Sequence, residues 1–222
     1  MINIDELKEN NLFELYYQFL VSENEKYNLT NITEYDEVYV KHFADSLELS
    51  RIVELDNQSL CDIGSGAGFP SIPLKIMYPN LKVTIIEPTT KRVNFLKMLV
   101  ERLGLKDVNI INGRAEVEIV NYREAFDIVT ARAVANLPML LELCVPYVKV
   151  GGQFITYKGA SYIEEVAASK NAEDCLKIHA SDCVVYSLDN DMGQRALISY
   201  KKTISTPKRY PRKYSDIKKK PL

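Results

Sequence analysis

Tryptophan is absent from the 222 residues, and glycine is scarce at nine. Histidine occurs twice and cysteine four times, as Cys61, Cys144, Cys175 and Cys183. With no C-x-x-C pair and so few histidines, neither a structural zinc site nor any other metal is expected. Cys61 and Cys144 stand in apolar stretches and read as reduced core residues. No apolar run approaches the ~20 residues that span a bilayer. The opening segment, MINIDELKENNLFELYYQFL, is acidic and lacks the basic and apolar regions of a secretory signal. A cytoplasmic protein with no membrane association is expected.

Hydrophobic residues make up 46% of the chain, enough for a sizeable core in one large domain or one domain with an extension. The net charge of −2 hides an asymmetry. From Lys201 onward there are nine Lys/Arg and one acid, Asp216, a net of +8. The remainder carries 19 Lys/Arg and 29 Asp/Glu, a net of −10. An acidic body with a basic arm reads either as a solvated terminus or as a polyanion contact.

Apolar residues Ile4, Leu7, Leu12, Leu15, Tyr16 and Phe19 recur at helical spacing, and so do Val38, Val40, Phe43, Leu47 and Leu49. From Ser59 the rhythm changes. SLCDIG, LKVTIIE, DVNIIN, FDIVTAR and GGQFITYKG read as five buried strands. PSIPLKIMYP, TTKRVNFLKMLVERLG, LPMLLELCVPYV and SYIEEVAASKNAEDCLK read as helices. Pro70 is expected in the first helical turn, where a missing N–H does no harm. CVVYSL and RALISYKK close the series as an antiparallel pair around the turn DNDMG. The alternation predicts a doubly wound, mostly parallel α/β sheet of seven strands. Three segments are expected: an N-terminal helical extension (1–57), a core (58–205) and a basic arm (206–222).

One third of the glycines fall in five positions, Gly64, Gly66 and Gly68 of CDIGSGAGFP. They occupy the first strand-to-helix turn, where such folds bind ligands, and allow the backbone to turn tightly and approach one. A phosphate loop would end in Gly-Lys-Ser/Thr, which is missing. A dinucleotide turn needs Gly or Ala where Phe69 stands. Glu87, ending the second strand, can accept both hydroxyls of a ribose, and that geometry serves NAD and S-adenosylmethionine alike. The D-x-G-x-G-x-G pattern itself resembles motif I of S-adenosylmethionine-dependent methyltransferases.

A longer series of motifs runs in order along nearly the whole chain: YNLTNI, HFADSL, DIGSGAGFPSIPLKI, EPTTKRVNFL, GRAE, DIVTARAVANLPMLLELC, GGQFITYKG and PKRYPRK. This series resembles the bacterial methyltransferase G family of small-subunit ribosomal RNA, also called glucose-inhibited division protein B. The resemblance implies a class I, Rossmann-like methyltransferase fold. It also implies S-adenosylmethionine as methyl donor and N7 of one guanosine in 16S ribosomal RNA, free or in the small subunit, as acceptor. Ser71 stands where the family often has glycine, and Val117 where it often has a second acid after Glu116.

Carried onto this chain, the cofactor positions implied are Gly64, Gly66 and Phe69 in the turn, and Glu87, Pro88 and Thr89 after the second strand. Ala115 and Glu116 follow the third strand, and Arg132 ends the fourth. Arg132 and Lys158 are expected to act as substrate-positioning cations, although Lys158 also reads as an ordinary surface lysine. His42 reads as structural or as a cleft contact. In the arm, Lys208, Arg209, Arg212 and Lys213, interleaved with Tyr210 and Tyr214, are expected to bind RNA. Pro207 and Pro211 suggest an extended segment there, and the arm is expected to do little for the cofactor. A monomer is expected. Two rival readings stand beside the enzyme: a non-catalytic RNA-binding protein on a methyltransferase scaffold, and an NAD-dependent Rossmann oxidoreductase.

Overall fold

The computed structural model describes residues 2–189 and 192–222, so Asn190 and Asp191 of the expected DNDMG turn lie outside the described residues. Strands β1 (Ser59–Ile63), β2 (Lys82–Glu87), β3 (Val108–Asn112), β4 (Phe126–Arg132), β5 (Val148–Lys158), β6 (Ala180–Ser187) and β7 (Gln194–Lys201) form one sheet in the order β3-β2-β1-β4-β5-β7-β6. The first five strands pair in parallel, and β7 runs antiparallel to both β5 and β6. Central parallel strands are covered on both faces, so they must be apolar throughout rather than alternating. That is why SLCDI and FDIVTAR read as near-continuous runs. The strand order reverses between β1 and β4, and their carboxyl ends open a crevice there.

Two apolar cores flank the sheet. One packs α1 (Ile4–Glu9), α2 (Asn11–Tyr27), α5 (Ser71–Met77) and α6 (Thr90–Arg102) against it through residues such as Phe13, Tyr16, Ile72 and Phe95. The other packs α7 (Ala115–Tyr122), α8 (Leu137–Cys144) and α10 (Lys170–Leu176) through Ile119, Leu140, Leu141 and Leu176. Among the described residues, no helix is long and apolar enough to cross a membrane.

The helical periodicity reads correctly, but several elements are more broken than it suggests. The first pattern divides at Asn10, whose side chain accepts the Leu12 N–H at 3.0 Å and caps α2. The second becomes a composite of α3 (Tyr35–Val38), a π-helical turn over Tyr39–Ala44, α4 (Asp45–Leu47) and a 3-10 turn. The segment after β5 splits at Ser169 into α9 (Tyr162–Ala168) and α10. Pro70 precedes α5 as its N-cap residue instead of sitting inside the first turn.

The arm differs most from expectation. It is neither a solvated tail nor simply extended: it ends in a short helix, α11 (Tyr214–Lys219), and buries Tyr210 and Ile217 in the second core. Arg212 is therefore not a free cation. It clasps the fully buried Glu142 through Nε and Nη2 at 2.8 and 2.6 Å, and its own N–H donates to the same carboxylate at 2.9 Å. Lys202 is likewise buried, paired with Glu124 at 2.9 Å. Lys208, Arg209, Lys213, Lys218, Lys219 and Lys220 stay exposed.

Candidate active site

The parallel register brings the ends of five strands together. Ile63 pairs with Ile86, Glu87 with Asn112 and Arg132 with Tyr157, and Lys158 follows on β5. A continuous cleft runs across these ends in three contiguous parts. An inner cavity of about 250 Å³ lies among Ile63, Glu87, Pro88, Ala115, Glu116 and Tyr214. A middle part lies on the glycine turn, against Gly64, Gly66, Phe69 and Arg132. An outer part of about 520 Å³ is bordered by Arg132, Lys158, Glu165 and Arg195. Gly64 belongs to the inner and middle parts, Arg132 to the middle and outer, and Ala133 to all three.

Gly66 and Gly68 do two different jobs. A Cβ on Gly66 would meet nothing within 4 Å, so this residue leaves the turn open toward the cleft. A Cβ on Gly68 would lie 2.7 Å from the Tyr16 hydroxyl and 2.8 Å from Ile72. Gly68 is thus required by packing, not by a ligand. Tyr16 sits there because its hydroxyl donates to the Ala67 carbonyl at 2.6 Å, which fastens α2 to the turn.

Glu87 is almost wholly buried, and each carboxylate oxygen already accepts one backbone N–H: Gly66 on Oε2 at 3.1 Å and Thr89 on Oε1 at 3.0 Å. Each oxygen keeps a further lone pair for a ligand hydroxyl. Pro88 and Thr89 extend the same wall, and the Pro88 and Glu87 carbonyls accept the Asn112 amide at 3.2 Å. Ala115 and Glu116 open α7, whose first-turn N–H groups have no partner within the helix. Glu116 is held by Arg114, which also covers the Tyr214 ring at 4.1 Å from its centroid.

These features fit S-adenosylmethionine. Glu87 is a buried carboxylate with lone pairs to offer a pair of hydroxyls, the N–H groups of Ala115 and Glu116 have no partner among the described residues and could serve a purine edge, and Gly66 leaves the turn open to the cleft. The fit includes the buried Ser65 hydroxyl, which borders the middle part and has no hydrogen-bond partner. The expected cofactor residues Gly64, Gly66, Phe69, Glu87, Pro88, Thr89, Ala115, Glu116 and Arg132 all border the inner or middle cleft.

Arg132 does more than end a strand. Its Nη1 donates to Asp45 Oδ2 at 2.8 Å and to the carbonyls of Lys41 and His42 at 3.2 and 3.4 Å. Its guanidinium lies over the rings of Phe69 and Tyr157. The π-helical turn supplies those carbonyls, a use typical of such turns at functional sites. Asp45 is fixed from the other side by the Tyr186 hydroxyl at 2.6 Å. His42 stacks on Phe69 with centroids 4.4 Å apart. Its Nδ1 lies 3.4 Å from Arg132 Nη2 and its Nε2 lies 3.0 Å from the Thr30 hydroxyl. Burial, helped by the Arg132 charge, pulls its pKa down to about 3, so the ring is neutral.

Lys158 is not a loose surface lysine. It is buried, donating to the Ala135 carbonyl at 2.9 Å and to Glu165 Oε2 at 2.8 Å at the edge of the outer cleft. Asp62 lies beneath the turn, fully buried, with Oδ2 accepting the Ser71 N–H at 3.2 Å and Oδ1 unpartnered. Its burial pushes the carboxyl up to about 7, against the pull of Ser71 and Arg132. Of the expected RNA contacts, Lys208, Arg209 and Lys213 lie on the arm outside the cleft.

Several cleft residues escape a reading of the sequence. Asp45 sits in the motif HFADSL and Arg114 in GRAE, so both had a local signal. Glu165 had none, lying in an ordinary helical segment, and Tyr214 was read only as an aromatic of the RNA-binding arm, not as a cleft residue.

Comparison with known proteins agrees with this geometry. Solved structures with the same fold include a SAM-dependent methyltransferase from Aquifex aeolicus, with a TM-score of 0.59 at 16% identity, covering 81% of this chain and 97% of that one. Another is M. jannaschii TYW2 in complex with AdoMet, with a TM-score of 0.54 at 18% identity, covering 70% and 74%. At such identities the likeness establishes the fold alone. Sequence relatives are much nearer. The ribosomal RNA small subunit methyltransferase G of Staphylococcus saprophyticus is 48% identical over 217 residues, 97% of this chain and 91% of the relative. That of Staphylococcus aureus strain Newman is 45% identical over 229 residues, 98% and 96% of the two chains. Residues 9–197 match the GidB family model, described as rRNA small subunit methyltransferase G. By the family match over residues 9–197 and these likenesses along nearly the whole chain, with a strand-end cleft that agrees with them, the chain belongs to the GidB family of rRNA small subunit methyltransferases.

Proposed function

We propose that this chain transfers the methyl group of S-adenosylmethionine to N7 of a guanosine in 16S ribosomal RNA. The observation that carries the reading is the Lys158–Glu165 pair, an ammonium and a carboxylate 2.8 Å apart at the outer cleft. Guanine presents an acceptor, O6, beside two donors, N1–H and the exocyclic amine. An ammonium beside a carboxylate offers the complementary set. With O6 and N1–H engaged in this way, N7 keeps its lone pair free.

Bound S-adenosylmethionine supplies a methyl group made electrophilic by its sulfonium. The residues of the chain bind and orient. Glu87 accepts the ribose hydroxyls, Ala115 and Glu116 address the adenine edge, and Phe69 with the open glycine turn borders the path between cofactor and base. Arg132 and Lys158 position the substrate. N7 carries no proton, so its attack requires no base. His42 suits that demand: it is neutral, both ring nitrogens are engaged, and it shapes the cleft instead of moving a proton. Alignment of the two reactants is the main contribution, which supplies ~7–11 kcal/mol in well-oriented systems. Lys208, Arg209 and Lys213 on the arm would neutralise phosphates of the RNA.

The test is to incubate the protein with S-adenosylmethionine and unmodified 16S RNA or small subunits, then identify methylated nucleosides by mass spectrometry. Formation of 7-methylguanosine is expected. A different methylated nucleoside, or none with either substrate, would refute the reading.

A further inference from the structure

The basic arm does not only carry charge. After Arg212 has locked onto buried Glu142, the chain turns into α11, and Ile217 is buried in the second core. This places Tyr214, at the start of that helix, on the wall of the inner cleft beside Pro88, Ala115 and Glu116. Arg114 stands immediately before α7 and reaches both Glu116 and the Tyr214 ring. The guanidinium thus ties the arm to the helix start that would face an adenine.

We propose that Tyr214 is a binding residue for the purine nucleoside half of the cofactor, supplied to the cleft by the C-terminal arm and held there by Arg114. The proposal rests on reading the inner cleft as the S-adenosylmethionine site. An aromatic side chain at the edge of a nucleoside cavity offers apolar area to a flat base, and a cation on the ring fixes the ring's position at low entropic cost. The anchoring explains the placement. A tyrosine on a loose tail would lose conformational entropy on each binding event, whereas this one is positioned in advance by the Arg212–Glu142 clasp and by Ile217. On this proposal the arm contributes to cofactor binding, which departs from the expectation that it does little for the cofactor.

The absence of tryptophan from the chain gives a direct probe. Tyr214→Trp introduces a single tryptophan at the cleft wall. The probe ligand is S-adenosylhomocysteine, titrated into the full-length protein and followed by calorimetry and by fluorescence. Tryptophan emission in Tyr214→Trp is expected to change saturably, with the midpoint that calorimetry gives for the same variant. Tyr214→Ala is expected to raise the dissociation constant at least about fivefold, the low end for base–aromatic stacking. Tyr214→Phe should stay within about twofold of the unsubstituted protein. Thermal unfolding of each variant checks that the arm remains docked.

Glu87→Ala separates this proposal from the reading beneath it. If the unsubstituted protein fails to bind S-adenosylhomocysteine, or Glu87→Ala binds it equally well, the cleft is not the cofactor site and both fall. If Glu87→Ala loses affinity while Tyr214→Ala, still folded, binds as well as the unsubstituted protein, only the role of Tyr214 is overturned. That role is overturned equally if the Tyr214→Trp emission ignores a ligand that calorimetry shows to be bound.

Discussion

Glu87 serves the turn and the ligand at once. Its carboxylate holds the Gly66 and Thr89 N–H groups and keeps lone pairs for hydroxyls. Glu87→Ala is therefore expected to weaken S-adenosylmethionine binding by about 1.5–3 kcal/mol, the range for hydrogen bonds to a charged group. Calorimetry on the folded variant checks it, and unchanged affinity would remove Glu87 from the site. Asp62 makes a prediction of a different kind. Its carboxyl titrates near 3.9 in an unfolded chain but at about 7 in this fold, because it is buried. Between those values the folded state holds a proton that the unfolded state has released. The contribution of Asp62 to stability is therefore full below about pH 4 and declines until about pH 7, where it levels off. His42 runs the other way: the unfolded chain takes up its proton below about pH 6.5, the folded one only near pH 3. Asp62→Asn imitates the protonated acid and keeps the acceptor for the Ser71 N–H. It should raise the melting temperature at pH 8 by about 2–4 °C for each kcal/mol gained, with the gain shrinking toward pH 5. An equal gain at both pH values would contradict the elevated carboxyl.

Among the elements, the C-terminal arm depends most on one contact. Glu142 is fully buried, and Arg212 is the cation that compensates it. Leaving a buried charge alone costs about 3–5 kcal/mol. Arg212 is 27% exposed, so Arg212→Ala is expected at the lower end, near 3 kcal/mol, in urea unfolding. Arg212→Lys keeps the charge but loses the two-pronged geometry and should fall between the two. Adding Glu142→Gln to Arg212→Ala removes the stranded charge and should recover part of the loss. No recovery would show that packing, not charge, holds the arm. Truncation after Ser205 strands Glu142 and also uncovers the core around Ile217 and Tyr210. It should therefore destabilise the protein rather than merely weaken RNA binding.

Over the whole molecule, the charge asymmetry survives folding in reduced form. Arg212 is committed to the buried Glu142, and Lys202, itself buried, to Glu124, while Lys218, Lys219 and Lys220 at the end of the arm stay exposed. An acidic body repels a phosphate backbone, so binding of RNA should draw on those exposed cations. Replacing Lys218, Lys219 and Lys220 by Ala is expected to raise the dissociation constant for 16S RNA. The slope of its logarithm against salt should flatten by about 0.7–0.9 for each phosphate that is no longer neutralised. Because the three residues lie beyond Arg212 and Tyr214, S-adenosylhomocysteine affinity should be unchanged. Filter binding across a salt series reads the RNA affinity and its slope, and an unaltered slope would place the RNA surface elsewhere.

The strand-to-helix alternation, the glycine turn and the acid closing β2 were legible because each rests on local chemistry: residue periodicity, backbone freedom and strand-end position. Those signals were enough to place Gly66 and Glu87 on one crevice, whereas Ala115 was named only through the family resemblance. They did not distinguish Gly66, which opens toward the cleft, from Gly68, which is closed by Tyr16, because that difference arises from a helix about fifty residues away in the chain. The breaks at Asn10 and Ser169 were missed because apolar spacing continues across them while the caps reset the helix axis. Arg132 and Lys158 were visible as strand-end cations, but their partners Asp45 and Glu165 were not. The sharpest reversal concerns the arm. Its composition is that of a solvated basic tail, and composition carries no information about a partner 70 residues away, such as Glu142. Local sequence determines where the chain turns and which faces are apolar. Which charges are compensated, and which side chains reach the cleft, depends on packing between distant segments, and only the folded chain settles that.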